Sequence, residues 1–268
     1  GVAGYNFGRF CLTPLPRNVR SQHLRTTIAW IAVPSVLWLA FALVVTDDYH
    51  ITNLLLANKF LGPPDSMTAG RLWFVEILVW TLVALALLFW LPAVDRMERL
   101  YPFTLAMTFL AAGMALRYDV LGLSLGREAW FTVLAFWFFA AGWAAAKATT
   151  TLQRALVTVV LVVGLHGYFG STQRELLVLT GLALLIWLPA VRCPSRLAVV
   201  AGVVAEASLY IYLTHYQVYP LFGEHRFAGV VVSVLAGIAM AASVTLLRQW
   251  FRERKLNPPD PAQAPALR

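Results

Sequence analysis

The chain has 268 residues, of which 60% are hydrophobic and 13% are charged. Soluble globular domains carry about 25% charged residues, so this composition excludes an ordinary water-soluble fold. The net charge of +8 does not indicate a nucleic-acid partner, because the Lys and Arg residues lie between hydrophobic runs, as membrane topology requires.

Apolar stretches of roughly 20 residues, long enough to cross a bilayer as helices, recur along nearly the whole chain. Charged residues, Pro and Gly separate eight predicted spans: 26–46, 71–94, 101–117, 129–146, 152–169, 175–191, 197–219 and 227–247. Residues 1–12 resemble the end of another helix, which Pro14 and Pro16 interrupt. The sequence predicts an all-α polytopic membrane bundle of about eight transmembrane helices plus a partial N-terminal one.

We expect residues 1–255 to form one membrane domain and residues 256–268, rich in Pro and Ala, to form a disordered tail. With eight crossings, 15 of the 21 Lys and Arg residues lie on one side of the membrane and 6 on the other. The positive-inside rule makes the richer side cytoplasmic. The chain is therefore expected to be a multi-pass protein of the cell membrane, surrounded by lipids, with both ends in the cytoplasm.

Two acids lie beyond the first turn of the predicted spans, Glu76 and Glu206. Ionisable groups inside hydrocarbon cost about 2.5–3.5 kcal/mol each on insertion scales, so they are candidates for function. Alternatively, Glu206 is neutral or bonded to a neighbouring helix, and Glu76 pairs with Arg71 or another basic group.

A polar stripe lies near the predicted outer end of the span 197–219. Ser208, Tyr212 and His215 share one helical face, because steps of four and three return to the same side. The stripe indicates either the lining of a substrate cavity or an ordinary interfacial belt of aromatic side chains.

Basic residues cluster before the first complete span, where Arg17, Arg20, His23 and Arg25 follow Arg9. Guanidinium groups bind phosphate in a bidentate manner, so the cluster fits a phosphorylated partner. Positive-inside retention and lipid headgroups explain the same residues without a specific ligand.

The His and Cys residues show no metal-ligand spacing, so no metal and no tightly held cofactor are expected. Cys11 and Cys193 are far apart in the chain and are expected to be unpaired thiols.

Four segments of the chain resemble the bacterial membrane acyltransferase-3 family. Gly4-Tyr5-Asn6-Phe7-Gly8-Arg9 is similar to the Gly-aromatic-x-x-Gly-Arg end of that family's second helix, and residues 20–38 to the basic start of its third. Trp73-Phe74-Val75-Glu76 resembles a Trp-aromatic-x-x-x-Glu signature with one residue fewer. The segment from Ser208 to His215 resembles Ser-x-x-x-Tyr-Leu-x-His near the family's C-terminal end.

The resemblance implies transfer of an acyl group from acyl-CoA, or a similar activated donor, to a hydroxyl of a glycan, lipid or secondary metabolite. It implies that Glu76 and His215 act at the catalytic site and border the acceptor or acyl cavity. It further implies a set of substrate-binding residues, with the arginines on the donor phosphates: Arg9, Arg20, Arg25, Trp73 and Tyr212.

The family's first helix carries an Arg and a His that is thought to act in catalysis, and no such pair occurs at the start of this sequence. We therefore expect the chain to lack that helix and to be inactive alone. The alternative function is that of a non-enzymatic membrane transporter or lipid-binding scaffold, in which Glu76 and Glu206 line a path for an ion or substrate.

Overall fold

The computed structural model describes residues 1–12, 16–46, 49–62, 72–122, 130–188 and 190–256. Every regular element in these ranges is helical, which confirms the all-α prediction. The α-helices are α1 (Val2–Asn6), α2 (Arg17–Val45), α3 (Asn58–Leu61), α4 (Trp73–Leu88), α5 (Pro92–Leu100), α6 (Pro102–Arg117), α7 (Trp130–Lys147), α8 (Thr151–Leu165), α9 (Thr172–Trp187), α10 (Ser195–Val218) and α11 (Arg226–Leu256). Apart from Leu256, the predicted tail lies outside the described residues.

The described helices include three that are long and apolar enough to cross a membrane: Arg17–Val45, Ser195–Phe222 and Arg226–Trp250. The bent pair α4 and α5 adds a fourth if it is one broken span. These helices indicate a membrane protein, whereas the number of eight crossings and the orientation stay predictions.

Apolar side chains on α2 face outward rather than into the protein. Leu37, Phe41 and Val44 are 66%, 57% and 86% exposed. Large apolar surfaces of this kind mark contact with a membrane or a partner, and the length of α2 favours the membrane.

The predicted span 71–94 is interrupted. Helix α4 ends at Leu88, and α5 starts at Pro92 after a bend of 97°. Proline has no N–H to donate and favours the first turn of a new helix, while Leu91 before it is extended. The bend separates the apolar α4 from the charged α5.

Residues 1–12 are helical, as expected, and continue from α1 into a π-helical turn at Phe7–Cys11. They pack against α7 at very short range. A Cβ on Gly4 would overlap the carbonyl oxygen of Phe139, and one on Gly142 would overlap the carbonyl oxygen of Gly1. The Phe7 ring then fits at 5.3 Å, edge-on, against Trp143.

The chain divides into two compact units, one up to Val191 and one from Arg192 onward. In the first unit, the core is formed by aromatic and aliphatic side chains of α4, α6 and α7 around Trp137 and Trp143, which are fully buried. The second unit is the hairpin of α10 and α11, where Gly237 lets α11 approach the backbone of Ile211 closely. This division into two units does not test the prediction that residues 1–255 form one membrane domain.

Candidate functional site

Ion pairs hold helix α5 against α2 and α7 within the first unit. The Arg20 guanidinium, at the start of α2, lies 3.0 Å from Asp95, and Arg99 reaches the other oxygen of that carboxylate at 3.0 Å. One turn along α5, Glu98 lies 2.7 Å from the ammonium of Lys147 at the end of α7. We call these five residues the α5 ion-pair cluster.

Arg20, Glu98 and Lys147 are largely shielded from water, so the charge of each depends on its partner of opposite sign. The side chains of Arg20 and Glu98 are each 3% exposed, and that of Lys147 is 15% exposed. Lys147 also donates to the carbonyl oxygen of Leu12 at 3.2 Å, while Arg20 lies 5.9 Å from the centre of the Phe89 ring. A buried charge is tolerated when it is paired, so the cluster holds α5 against α2 and α7.

This cluster was not identified from the sequence, because the acids of α5 lie in the loop between the predicted spans 71–94 and 101–117. A local signal was present: Asp95 and Glu98 are three residues apart in a helix that starts with proline, so they share one face.

The predicted phosphate-binding arginines have different surroundings. Arg20 is 2% exposed and paired with Asp95, so a phosphate contact would require displacement of that carboxylate. Arg9 and Arg25 are exposed, and Arg9 donates to the Tyr5 hydroxyl at 2.9 Å. Arg17 is also exposed and donates to the carbonyl oxygen of Trp90. Arg9 and Arg25 are therefore accessible to a ligand.

Glu76 lies in the first turn of α4 and is 2% exposed. Its Oε1 accepts from the backbone N–H of Asn58 at 3.2 Å, which ties α4 to the start of α3. Asn58 Oδ1 lies 2.6 Å from the hydroxyl of Thr52, and that hydroxyl lies 2.9 Å from Nδ1 of His50. We call these residues, together with Asn53, the Glu76 network.

The Glu76 network is built on a closely packed loop. The Asn53 side chain accepts from the backbone N–H of His50 at 2.8 Å, and the Trp80 indole donates to the carbonyl oxygen of Leu56 at 2.7 Å. Asn53 and Asn58 are each 1% exposed, and their amide NH₂ groups have no hydrogen-bond partner among the described residues. Such buried donors are costly, and functional sites are places where the cost is tolerated.

Trp73, at the start of α4, is half-buried, and its ring lies 6.2 Å from that of Phe74 in an edge-on arrangement. It is three residues before Glu76, on the same helical turn. The predicted substrate contact of Trp73 stays a prediction.

His215 and Tyr212 are neighbours on α10 in the second unit. Their ring centres lie 5.3 Å apart, as the predicted stripe requires, and His215 Nδ1 is 2.6 Å from the carbonyl oxygen of Tyr212. A carbonyl oxygen only accepts, so Nδ1 carries the proton and Nε2 keeps its lone pair. Ser208 and Glu206 are exposed on the same helix. In the neutral ring, Nε2 of His215 is therefore the nitrogen that carries the lone pair.

Another polar group, centred on Arg117, lies where α6 and α8 end. Arg117 donates to the carbonyl oxygens of Gly164 and, at 3.1 Å, His166, which caps α8. Its guanidinium lies 4.9 Å from the ring centre of Tyr168 and 5.3 Å from that of Trp137. This group explains Arg117 as a structural residue.

No three His, Cys, Asp or Glu side chains are placed to hold a metal ion within the described ranges. Cys11 is half-buried, Cys193 is exposed, and both are free thiols. No family model, no curated protein and no solved structure matches this chain.

Proposed function

We propose that the chain is an integral membrane acyltransferase that moves an acyl group from acyl-CoA, or a similar activated donor, to a hydroxyl of a glycan, lipid or secondary metabolite. The observation that supports it most is the environment of Glu76. This acid, which the motif resemblance selects, is buried and hydrogen-bonded within a network that ends at an exposed imidazole, that of His50. A carboxyl group and an imidazole held in one network are the residue types that general acid–base catalysis at an acceptor hydroxyl uses.

The donor would bind at the start of α2. Arg9 and Arg25 are exposed there, and guanidinium groups form charge-assisted hydrogen bonds with phosphate. Helix α2 has 29 residues, which corresponds to about 43 Å at 1.5 Å per residue. This length is enough to cross a membrane, so the donor phosphates would stay at the end of α2 that carries these arginines.

The remaining residues would have separate roles, and those of Tyr212 and His215 are the ones that the family resemblance implies. Arg20 would fix α5 through Asp95 and act on the donor site indirectly. Tyr212 and His215 would border the acceptor or acyl cavity, with Nε2 of His215 available to a hydroxyl. The chain would be a multi-pass protein of the cell membrane with the arginine-rich side in the cytoplasm.

Donor binding tests the proposal. In lipid nanodiscs, the protein should bind acetyl-CoA, and replacing Arg9 and Arg25 together by Gln should weaken that binding roughly tenfold or more, since about 1.4 kcal/mol corresponds to a tenfold change. Raised salt should produce a similar loss, because these contacts are exposed.

Arg226→Gln is the matched control, because Arg226 is an exposed arginine at the start of α11, on the predicted outer side. Its replacement should leave the dissociation constant unchanged. Equal affinity in all three proteins would leave topology as the only role of Arg9 and Arg25. Solute transport without acyl transfer would replace the enzyme by the transporter reading.

A further inference from the structure

Helix α5 turns its acidic side chains inward and leaves apolar side chains outside. Asp95 and Glu98 are buried in the α5 ion-pair cluster. On the other side of the helix, Met97 and Leu100 are 42% and 58% exposed. A surface helix in water normally has the reverse arrangement, with apolar side chains buried and charged ones outside. The outward face of α5 therefore fits surroundings that are less polar than water.

Two stripes of exposed side chains run along this outward face. Ala93, Met97 and Leu100 form an apolar stripe, because steps of four and three along a helix return to one side. Arg96 and Arg99, three residues apart, form a basic stripe beside it. An apolar stripe that adjoins a basic one is typical of a helix that lies at a membrane surface.

The charge of the outward face is positive, because the acids of α5 are balanced from inside the unit. Asp95 already pairs with the buried Arg20 at 3.0 Å, and Arg99 shares that carboxylate while its side chain is 47% exposed. Arg96 is exposed and pairs with no acid within the described ranges. Arg17, which is bonded to the backbone just before α5, adds a third exposed guanidinium.

The bend after α4 sets the direction of α5. The helices on either side of it in the chain, α4 and α6, are apolar, and α5 is bent by 97° from α4. Transmembrane helices lie on average about 20° from the bilayer normal, so a helix at this angle to α4 lies near the membrane plane. Trp90 and Tyr101, just outside the two ends of α5, are 59% and 61% exposed, and such side chains favour the membrane–water interface.

We propose that the outward face of α5 lies among the lipid headgroups and binds anionic phospholipids there. Met97 and Leu100 extend toward the acyl chains, and Arg96 and Arg99 bind the headgroup phosphates, with their aliphatic stems along the apolar stripe. Helix α5 falls in a predicted inner loop, and the cytoplasmic leaflet is the one that carries anionic lipids. The proposal does not depend on acyl transfer.

The depth of α5 is the first measurement. The protein without native cysteines carries a nitroxide at Met97→Cys, in nanodiscs of phosphatidylcholine with phosphatidylglycerol as the minor lipid. The label should collide with oxygen more than with a water-soluble nickel chelate, as a label at Leu37→Cys on the exposed face of α2 should. A label at Leu100→Cys should give the same result from the next turn of the stripe.

The choice of lipid is the second measurement. A fluorophore at Met97→Cys is quenched by nitroxide-labelled phosphatidylglycerol or by phosphatidylcholine with the same label, and phosphatidylglycerol should quench more at equal content. Arg96→Gln should lower this preference by up to about fivefold, the change that one basic residue near an anionic surface corresponds to. Arg96→Lys keeps the charge and should retain most of the preference. Arg174→Gln, at an exposed arginine of α9 on the predicted outer side, is the matched control and should change nothing.

Each alternative for the outward face of α5 gives a different result. Free access of the nickel chelate to the Met97→Cys label would place the face in water, and exclusion of both oxygen and the chelate would place it against a protein partner or a second copy. Equal quenching by the two lipids, or an unchanged preference in Arg96→Gln, would remove the recognition of anionic headgroups. Loss of the preference on addition of glycerol 3-phosphate would make a free phosphate compound the ligand. Any of these results overturns the proposal.

Discussion

Replacing Lys147 by Met should destabilise the protein more than any exposed charge change on the same surface. The substitution leaves the Glu98 carboxylate, whose side chain is 3% exposed, without the ammonium 2.7 Å away. Removing one partner of a buried pair typically costs about 3–5 kcal/mol. Exposed pairs contribute only about 0.2–1 kcal/mol. Arg99→Gln, which removes a side chain that is 47% exposed from Asp95, should therefore stay within that smaller range.

Equilibrium unfolding in mixed micelles, followed by Trp fluorescence against the mole fraction of SDS, gives the free energy of unfolding for each variant. The double variant Lys147→Met, Glu98→Met should recover most of the loss, because removing both charges of a buried pair is often neutral or stabilising. Equal losses in Lys147→Met and Arg99→Gln, or no recovery in the double variant, would refute the reasoning that burial decides the magnitude.

Two further predictions concern topology and packing. In a variant without native cysteines, an impermeant thiol reagent should label Leu121→Cys on whole cells and leave Met97→Cys, in the predicted inner loop, unlabelled; the reverse pattern would overturn the orientation. Gly142→Ala should lower the free energy of unfolding by about 1–3 kcal/mol, because the added Cβ would overlap the backbone of residue 1. Gly181→Ala, with nothing within 4 Å of the added Cβ, should not lower it; equal losses in both would contradict the packing.

Helices could be predicted from the sequence because apolar composition and length are local properties. Each predicted span has a helix at its position, and the helical end of another segment was expected at residues 1–12. The number of membrane crossings was harder to predict from the sequence, because α6 and α8 have 16 and 15 residues and fall short of a full span.

The bend after Leu88 was missed for a physical reason. Residues 71–94 are apolar enough to read as one span, but Pro92 starts a new helix, and its direction is decided by partners distant in sequence. Arg20 and Lys147 attract the acids of α5 into the first unit. Such pairings are tertiary contacts, and hydropathy carries no information about them.

The candidate site shows the same limit. Glu76 was identified from its depth in a predicted span, and it is indeed buried and bonded. His50 was assigned to an outer loop, because its place in the Glu76 network depends on contacts with Thr52 and Asn58 that the sequence does not show. A loop that folds back on the next helix is not visible in a hydropathy pattern.

The most direct test of the proposed acyl transfer is to identify its product. Activity would also overturn the expectation, drawn from the family resemblance, that the chain is inactive alone. The protein in nanodiscs is incubated with acetyl-CoA carrying a trideuterated acetyl group and with an extract of cell-envelope glycans and lipids, and the mixture is analysed by mass spectrometry. Acyl transfer predicts an acceptor that gains the deuterated acetyl group as an ester, with one free CoA for each ester formed. Intact acetyl-CoA and an unlabelled extract, under conditions in which the protein is folded and binds the donor, would contradict it.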